Sequence, residues 1–161
     1  METLETIKIK KILLDSCFGS NPKLAKEYGT AEVTIDFQRN AKGKEIVDFM
    51  SYDAKNDIFR CYEIKISMAD FKSNAKKSWY GNYNYLVISK GLYEKQPFSE
   101  WKNAIPKEVG IIVVNTDTGE KECLKRSIKK EVENKNALKN SLLRSMFYQN
   151  CNKEWRLRNG D

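Results

Sequence analysis

Asp48, Glu63 and Lys65 are the residues of this chain whose types and spacing could do chemistry together. Glu63 and Lys65 lie in an apolar run, with Ile64 between them and Ile66 after. Side chains of a strand alternate, so Glu63 and Lys65 share one face and the two isoleucines the other. Asp48, between Val47 and Phe49, belongs to the preceding apolar run and comes near Glu63 if the two runs pair. Two carboxylates and an ammonium crowded at one end of a sheet cost desolvation unless something compensates. A divalent cation does so, since Mg²⁺ takes one or two carboxylates and keeps several waters. Such an ion lowers the pKa of a bound water and neutralises charge on a phosphate. The lysine would orient or help deprotonate that water and stabilise the charged transition state. The chemistry is metal-assisted phosphodiester hydrolysis. The plainer alternative is a salt bridge between Glu63 and Lys65 on an exposed strand face.

The composition narrows the options. The chain has no histidine, which removes Ser-His-Asp hydrolases, histidine-metal nucleases and any histidine general base. Its cysteines, Cys17, Cys61, Cys123 and Cys151, are scattered without a CxxC pair, so no structural zinc site is expected. Single cysteines suit a reducing cytoplasm. The 161 residues predict one domain over 1–161. A net charge of +7 favours a polyanionic partner such as DNA. No apolar run reaches the roughly 18 residues of a membrane span. The opening METLETIKIKK lacks the pattern of a secretory signal.

The elements that must position the three residues follow from periodicity. Residues 3–16 fit an amphipathic helix imperfectly, and Ile7-Lys8-Ile9 could equally be extended; 21–28 reads as a short helix with Asn21 as cap, Pro22 in the first turn and Gly29 as stop. Residues 31–37, 46–52 and 58–67 read as three strands. Turns at 42–44 and 53–57 would join them into an antiparallel meander. Residues 69–80 are helix-like, anchored by Phe71 and Trp79; 83–89 is a strand, 90–104 a helix or two short turns, and 109–115 another strand. A turn at 116–119 leads into a basic segment near 120–126. The clearest helix spans about 134–157, with Leu138, Leu142, Leu143, Met146 and Phe147 at helical spacing, which suits docking on the core, and a basic face of Lys139, Arg144, Lys153 and Arg156 that could also touch phosphate. The fold class is α/β, a central mixed sheet flanked by helices.

Basic and aromatic residues surround the candidate site in sequence. Lys72, Lys76 and Lys77 could contact phosphate or form a solvated helix face. Trp79, Tyr80, Tyr83 and Tyr85 suit core packing, although Tyr80 or Tyr83 could stack on an unpaired base.

The stretch from Glu32 through Ser89, with EVTIDF, EIVDFMSYDAKNDIFRCYEIKISMADF, KKSW and YNYLVIS, resembles the MmcB-like branch of the PD-(D/E)XK nuclease superfamily. The tail motif KNSLLRSMF is similar to that of phage-borne relatives. The resemblance implies a restriction-endonuclease-like sandwich and a Mg²⁺- or Mn²⁺-dependent nuclease acting on DNA in repair, recombination or phage DNA metabolism. It implies that Asp48, Glu63 and the backbone carbonyl of Ile64 bind metal and that Lys65 is catalytic. Glu32 matches the family's upstream acidic position, and Ser67 and Asp70 would shape the site. Val47 stands where the superfamily's name has proline. Two other readings remain: a nucleic-acid-binding protein without turnover on the same fold, and a phage-encoded interaction protein. A homodimer would suit cutting of both strands, but no heptad or interface pattern specifies one.

Overall fold

The computed structural model describes residues 2–40, 43–73 and 79–160, with backbone alone for 36–40 and 43. The chain forms one six-stranded mixed sheet in the order β1 (Glu27–Asn40), β2 (Gly43–Asp53), β3 (Ile58–Lys65), β4 (Tyr83–Ser89), β5 (Gly110–Val114), β6 (Lys121–Lys125). The first three strands are the expected antiparallel meander. β4 then adds parallel to β3, β5 parallel to β4, and β6 closes the edge antiparallel to β5. The helices are α1 (Leu4–Phe18), α2 (Met68–Lys72), α3 (Lys90–Tyr93), α4 (Phe98–Asn103) and α5 (Lys135–Asn159). The expected turn at 42–44 lies partly outside the described residues, as does much of the expected helix at 69–80, of which α2 is the described part. No helix among the described residues is long and apolar enough to cross a membrane.

Strand alternation sorts the core onto two faces. On one face α1 lays Ile9, Leu13 and Cys17 against Phe49, Ile64, Val87 and Val114. The other face carries two clusters. Phe71, Leu92 and Trp101, from α2, α3 and α4, cover Leu86, Ile88, Ile111 and Val113. Leu138 and Leu142 of α5 cover Val33, Ile35, Val47, Met50, Phe59 and Cys61. Glu63 and Lys65 pair in register with Leu86 and Ile88 and alternate with Ile64, so they share the face of Phe59 and Cys61. They therefore stand at the seam between these two clusters.

The start of β1 differs from the sequence expectation. Only a single 3₁₀ turn, Pro22–Leu24, forms where a helix to 28 was expected, and the strand begins at Glu27. Gly29 does not stop a helix. It sits in β1 opposite Ser51, and a Cβ there would lie 3.0 Å from the Phe49 ring and 3.1 Å from the Cys17 sulfur. The segment 120–126 also forms a strand, β6, whose residues are exposed or half-buried.

α5 departs from expectation in its facing. Leu138, Ser141, Leu142 and Ser145 are buried, whereas Leu143 and Phe147 are 64% and 70% exposed on the other side of the helix. Ser145 accepts a hydrogen bond from the Thr34 N–H of β1 (3.3 Å), and Asp57 in the β2–β3 turn receives Lys135 (2.9 Å) and Lys139 (3.0 Å). These contacts fix the first half of α5 across the meander. All four cysteines are free thiols: Cys17 and Cys61 are buried, Cys123 and Cys151 exposed.

Candidate metal and catalytic site

β2 and β3 pair from Asp53↔Ile58 up to Phe49↔Tyr62. One residue further, side chain takes over from main chain: Asp48 Oδ2 accepts the Ile64 N–H at 2.7 Å. The strands part there, and the carboxylate fills the gap. Asp48 is half-buried, while Glu63 and Lys65 are only 5% and 6% exposed. Lys65 Nζ lies 3.2 Å from Glu63 Oε1 and 3.1 Å from Asp70 Oδ1. Glu63 Oε2 is buried with no hydrogen-bond partner among the described residues.

The electrostatics follow from this geometry. Burial raises the Asp48 pKa, and the Ile64 N–H, Lys65 and Lys10 offset only part of the rise. Burial, then the charge of Asp48, pushes Glu63 up to about 7 despite Lys65. Burial disfavours the Lys65 ammonium, but Glu63 and Asp70 outweigh it and hold that pKa above the usual lysine range. Among the described residues, Lys65 and Lys10 offset only part of the cost of this buried carboxylate, which is the condition a cation relieves.

The donors fit a hard divalent ion. Glu63 offers an unpartnered buried oxygen, and Asp48 offers its second oxygen beside the Ile64 main chain. Carboxylate and carbonyl oxygens are the ligands Mg²⁺ and Mn²⁺ prefer. Among the described residues, no three His, Cys, Asp or Glu side chains converge closely enough to hold a metal by themselves. Waters or substrate oxygens would complete the shell, as is usual for Mg²⁺.

The other candidate residues are distributed unevenly. Glu32 lies across from Asp48, between the pairs Ala31↔Phe49 and Val33↔Val47, with a left-handed φ of 55°. Its carboxylate is bound by Lys10 (3.2 Å), not turned into the Glu63 pair. Ser67 caps α2 by accepting the Asp70 N–H (3.2 Å), which helps set the Asp70 side chain on Lys65. Lys72 is exposed on α2, whereas Lys76 and Lys77 lie outside the described residues. Tyr80 is not brought to the site; its hydroxyl donates to Glu45 (2.7 Å) and its ring packs on the α5 cluster. Tyr83 pairs with Arg60, under the guanidinium (5.7 Å), on the opposite face of the sheet from Glu63.

Lys10 is the residue that sequence reasoning missed. It joins Glu2 (2.5 Å) and Glu32 and adds positive charge near Asp48. Its neighbour Ile9 heads the buried stripe Ile9, Leu13, Cys17, so a position beside that stripe could have been flagged as facing the sheet.

Comparison with known proteins returns little beyond the fold. No protein-family model matches the chain, and no curated protein matches it. The chain is similar in structure to a protein of unknown function from Silicibacter pomeroyi. The TM-score is 0.54 at 16% identity, over 84% of this chain and 82% of that one. That similarity is one of fold. The class defined here is therefore α/β, with an open six-stranded mixed sheet flanked by helices.

Proposed function

We propose that this chain is a metal-dependent deoxyribonuclease of the PD-(D/E)XK type, on a restriction-endonuclease-like sandwich. Repair, recombination or phage DNA metabolism would be its setting, in the cytoplasm. The observation that carries the reading is the buried Glu63 Oε2, unpartnered among the described residues, beside Asp48 and Lys65, where β2 and β3 part. A salt bridge on an exposed strand face would leave no such orphan. Asp48, Glu63 and the Ile64 carbonyl are the groups that would hold the ion. Bound there, Mg²⁺ or Mn²⁺ supplies Lewis acidity toward the scissile phosphate and makes water nucleophilic near neutral pH.

The chain's own residues do the rest. Lys65 enters as a cation, because Glu63 and Asp70 favour its charged form. Its role is to orient the attacking water and stabilise negative charge growing on the phosphate, in preference to accepting a proton. Asp70 positions that ammonium, and Ser67 positions Asp70. The basic surface implied by a net charge of +7 draws the polyanion in.

A second reading, a DNA-binding protein without turnover on the same fold, draws on the lack of three converging acidic side chains among the described residues. One experiment separates the two. Labelled duplex, single-stranded, flap and nicked DNAs are incubated with Mg²⁺, Mn²⁺ or EDTA, using wild type, Asp48→Ala and Lys65→Ala. Metal-dependent cutting lost in both variants supports the nuclease. Binding without cutting in any metal supports the second reading.

A further inference from the structure

We propose that the distal half of α5 is a docking arm for single-stranded DNA, feeding an unpaired strand toward Asp48, Glu63 and Lys65. The proposal deepens the nuclease reading and rests on it for the destination of the strand.

The helix changes character along its length. Its buried stripe, Leu138, Ser141, Leu142 and Ser145, continues at helical spacing as Gln149, Asn152 and Arg156. With Lys153 and Leu157, these residues and Glu32 of β1 line a groove of about 410 Å³. Glu32 lies across from Asp48 in the β1–β2 pairing, so the groove ends one strand away from Asp48. The carboxylate of Glu32 would repel phosphate, but Lys10 is paired with it. Lys153, Arg156 and Arg158 outweigh Glu154 on this stretch.

Beside the groove, large planar side chains stand in solvent. Tyr148 and Trp155, at helical spacing to Asn152 of the groove, are 67% and 60% exposed, and Phe147, on the far side of the helix, is 70% exposed. A second copy of the chain would bring like charges together along the arm. DNA matches both features, phosphates meeting the cations and bases meeting the rings. A duplex hides its base faces in the stack, whereas an unpaired strand offers them to aromatic side chains.

The test is fluorescence anisotropy with a short labelled oligothymidylate and a blunt duplex, in EDTA so that no hydrolysis intervenes. Full-length wild type is compared with Tyr148→Ala, Trp155→Ala and the pair Lys153→Ala/Arg156→Ala, all at exposed positions or lining an open groove. Each aromatic substitution should weaken oligothymidylate binding by roughly fivefold or more, with little effect on duplex. The basic pair should lower the salt dependence of single-strand binding by roughly 1.4 in log–log slope. Equal losses on both DNAs, or no loss from the aromatic substitutions, overturns the arm. So does a wild-type dimer in sedimentation that Phe147→Ala dissociates, since the rings would then be covered by another copy. Normal binding by the variants of a chain that cuts DNA sinks the arm alone; α5-dependent binding without cutting sinks the nuclease alone.

Discussion

The carboxylate of Asp48 takes the hydrogen-bonding place of a strand, accepting the Ile64 N–H at 2.7 Å just beyond the last β2–β3 pair. The residue thereby both closes the sheet and lines the site, and substitutions can separate these roles. Asp48→Asn keeps an acceptor for Ile64 and removes a charge that raises Glu63. In EDTA it should be at least as stable as wild type to urea. Asp48→Ala leaves a backbone donor unpaired and should lose about 1–3 kcal/mol. Both should lack metal-dependent cleavage. An Asn variant as unstable as the Ala variant would show that the hydrogen bond does not matter.

Glu63 makes the metal-free protein sensitive to pH. An acid whose pKa rises on folding, here from 4.5 to about 7, leaves the folded state holding the extra proton between those values. Stability must therefore fall as pH rises through that window. Glu63→Gln should flatten this part of the profile, read as urea midpoints in EDTA from acid to neutral pH. An unchanged slope in the variant would place the titration elsewhere.

In the proposed metal site, cation and proton would compete for the same oxygens. Apparent Mg²⁺ affinity should climb as pH rises toward and past about 7, where Glu63 gives up its proton. Isothermal titration in two buffers of different ionisation enthalpy would reveal proton release on binding. Affinity independent of pH over this range would argue that Glu63 is not a ligand.

In the nuclease reading Asp70 would act through Lys65, which it contacts at 3.1 Å, so its loss should disturb rate more than substrate binding. Asp70→Ala should lower kcat about tenfold to hundredfold with KM nearly unchanged. It should also move the alkaline limb of the rate profile to lower pH, because one of the two carboxylates favouring the ammonium is gone. Asp70→Asn should recover part of the rate. Identical rates and profiles for Ala and wild type would remove Asp70 from the site.

A test of the fold needs no activity. A Cβ on Gly81 would lie 2.6 Å from the Tyr83 carbonyl oxygen and 3.0 Å from both the Cys61 nitrogen and the Phe59 oxygen. All three are backbone atoms that no rotamer change can move. Gly81→Ala should cost roughly 1–3 kcal/mol in thermal or urea unfolding. Gly91→Ala, with open space around it, serves as the control.

Much of the positioning framework was legible in the sequence because alternation and burial coincide in it. β4 matches the apolar run at 83–89, and the opposition of Ile64 to Glu63 and Lys65 is the period of a strand. What was not legible depends on contacts distant in sequence. β6, reading Lys-Glu-Cys-Leu-Lys, is an edge strand defined by pairing with β5, so its own residues show no apolar pattern. Gly29 reads as a helix stop, yet its place is set by the Phe49 ring and the Cys17 sulfur. Leu143 and Phe147 fit a helical apolar pattern, but α5 buries one side only, the side of Leu138, Ser141, Leu142 and Ser145. Lys10 reaches Glu32 across 22 positions, which no local spacing reveals.

The division of the cysteines makes the protein easy to label selectively. Burial pushes the Cys17 thiol up to about 11 and the Cys61 thiol to about 12, so neither forms much thiolate near neutral pH. Cys123 and Cys151 stand in solvent, on the sheet edge and on α5 respectively. A maleimide dye should therefore attach at these two positions and spare the core. After Cys123→Ser, a single fluorophore at Cys151 would sit among the exposed aromatic side chains of α5 and report directly on anything that settles there.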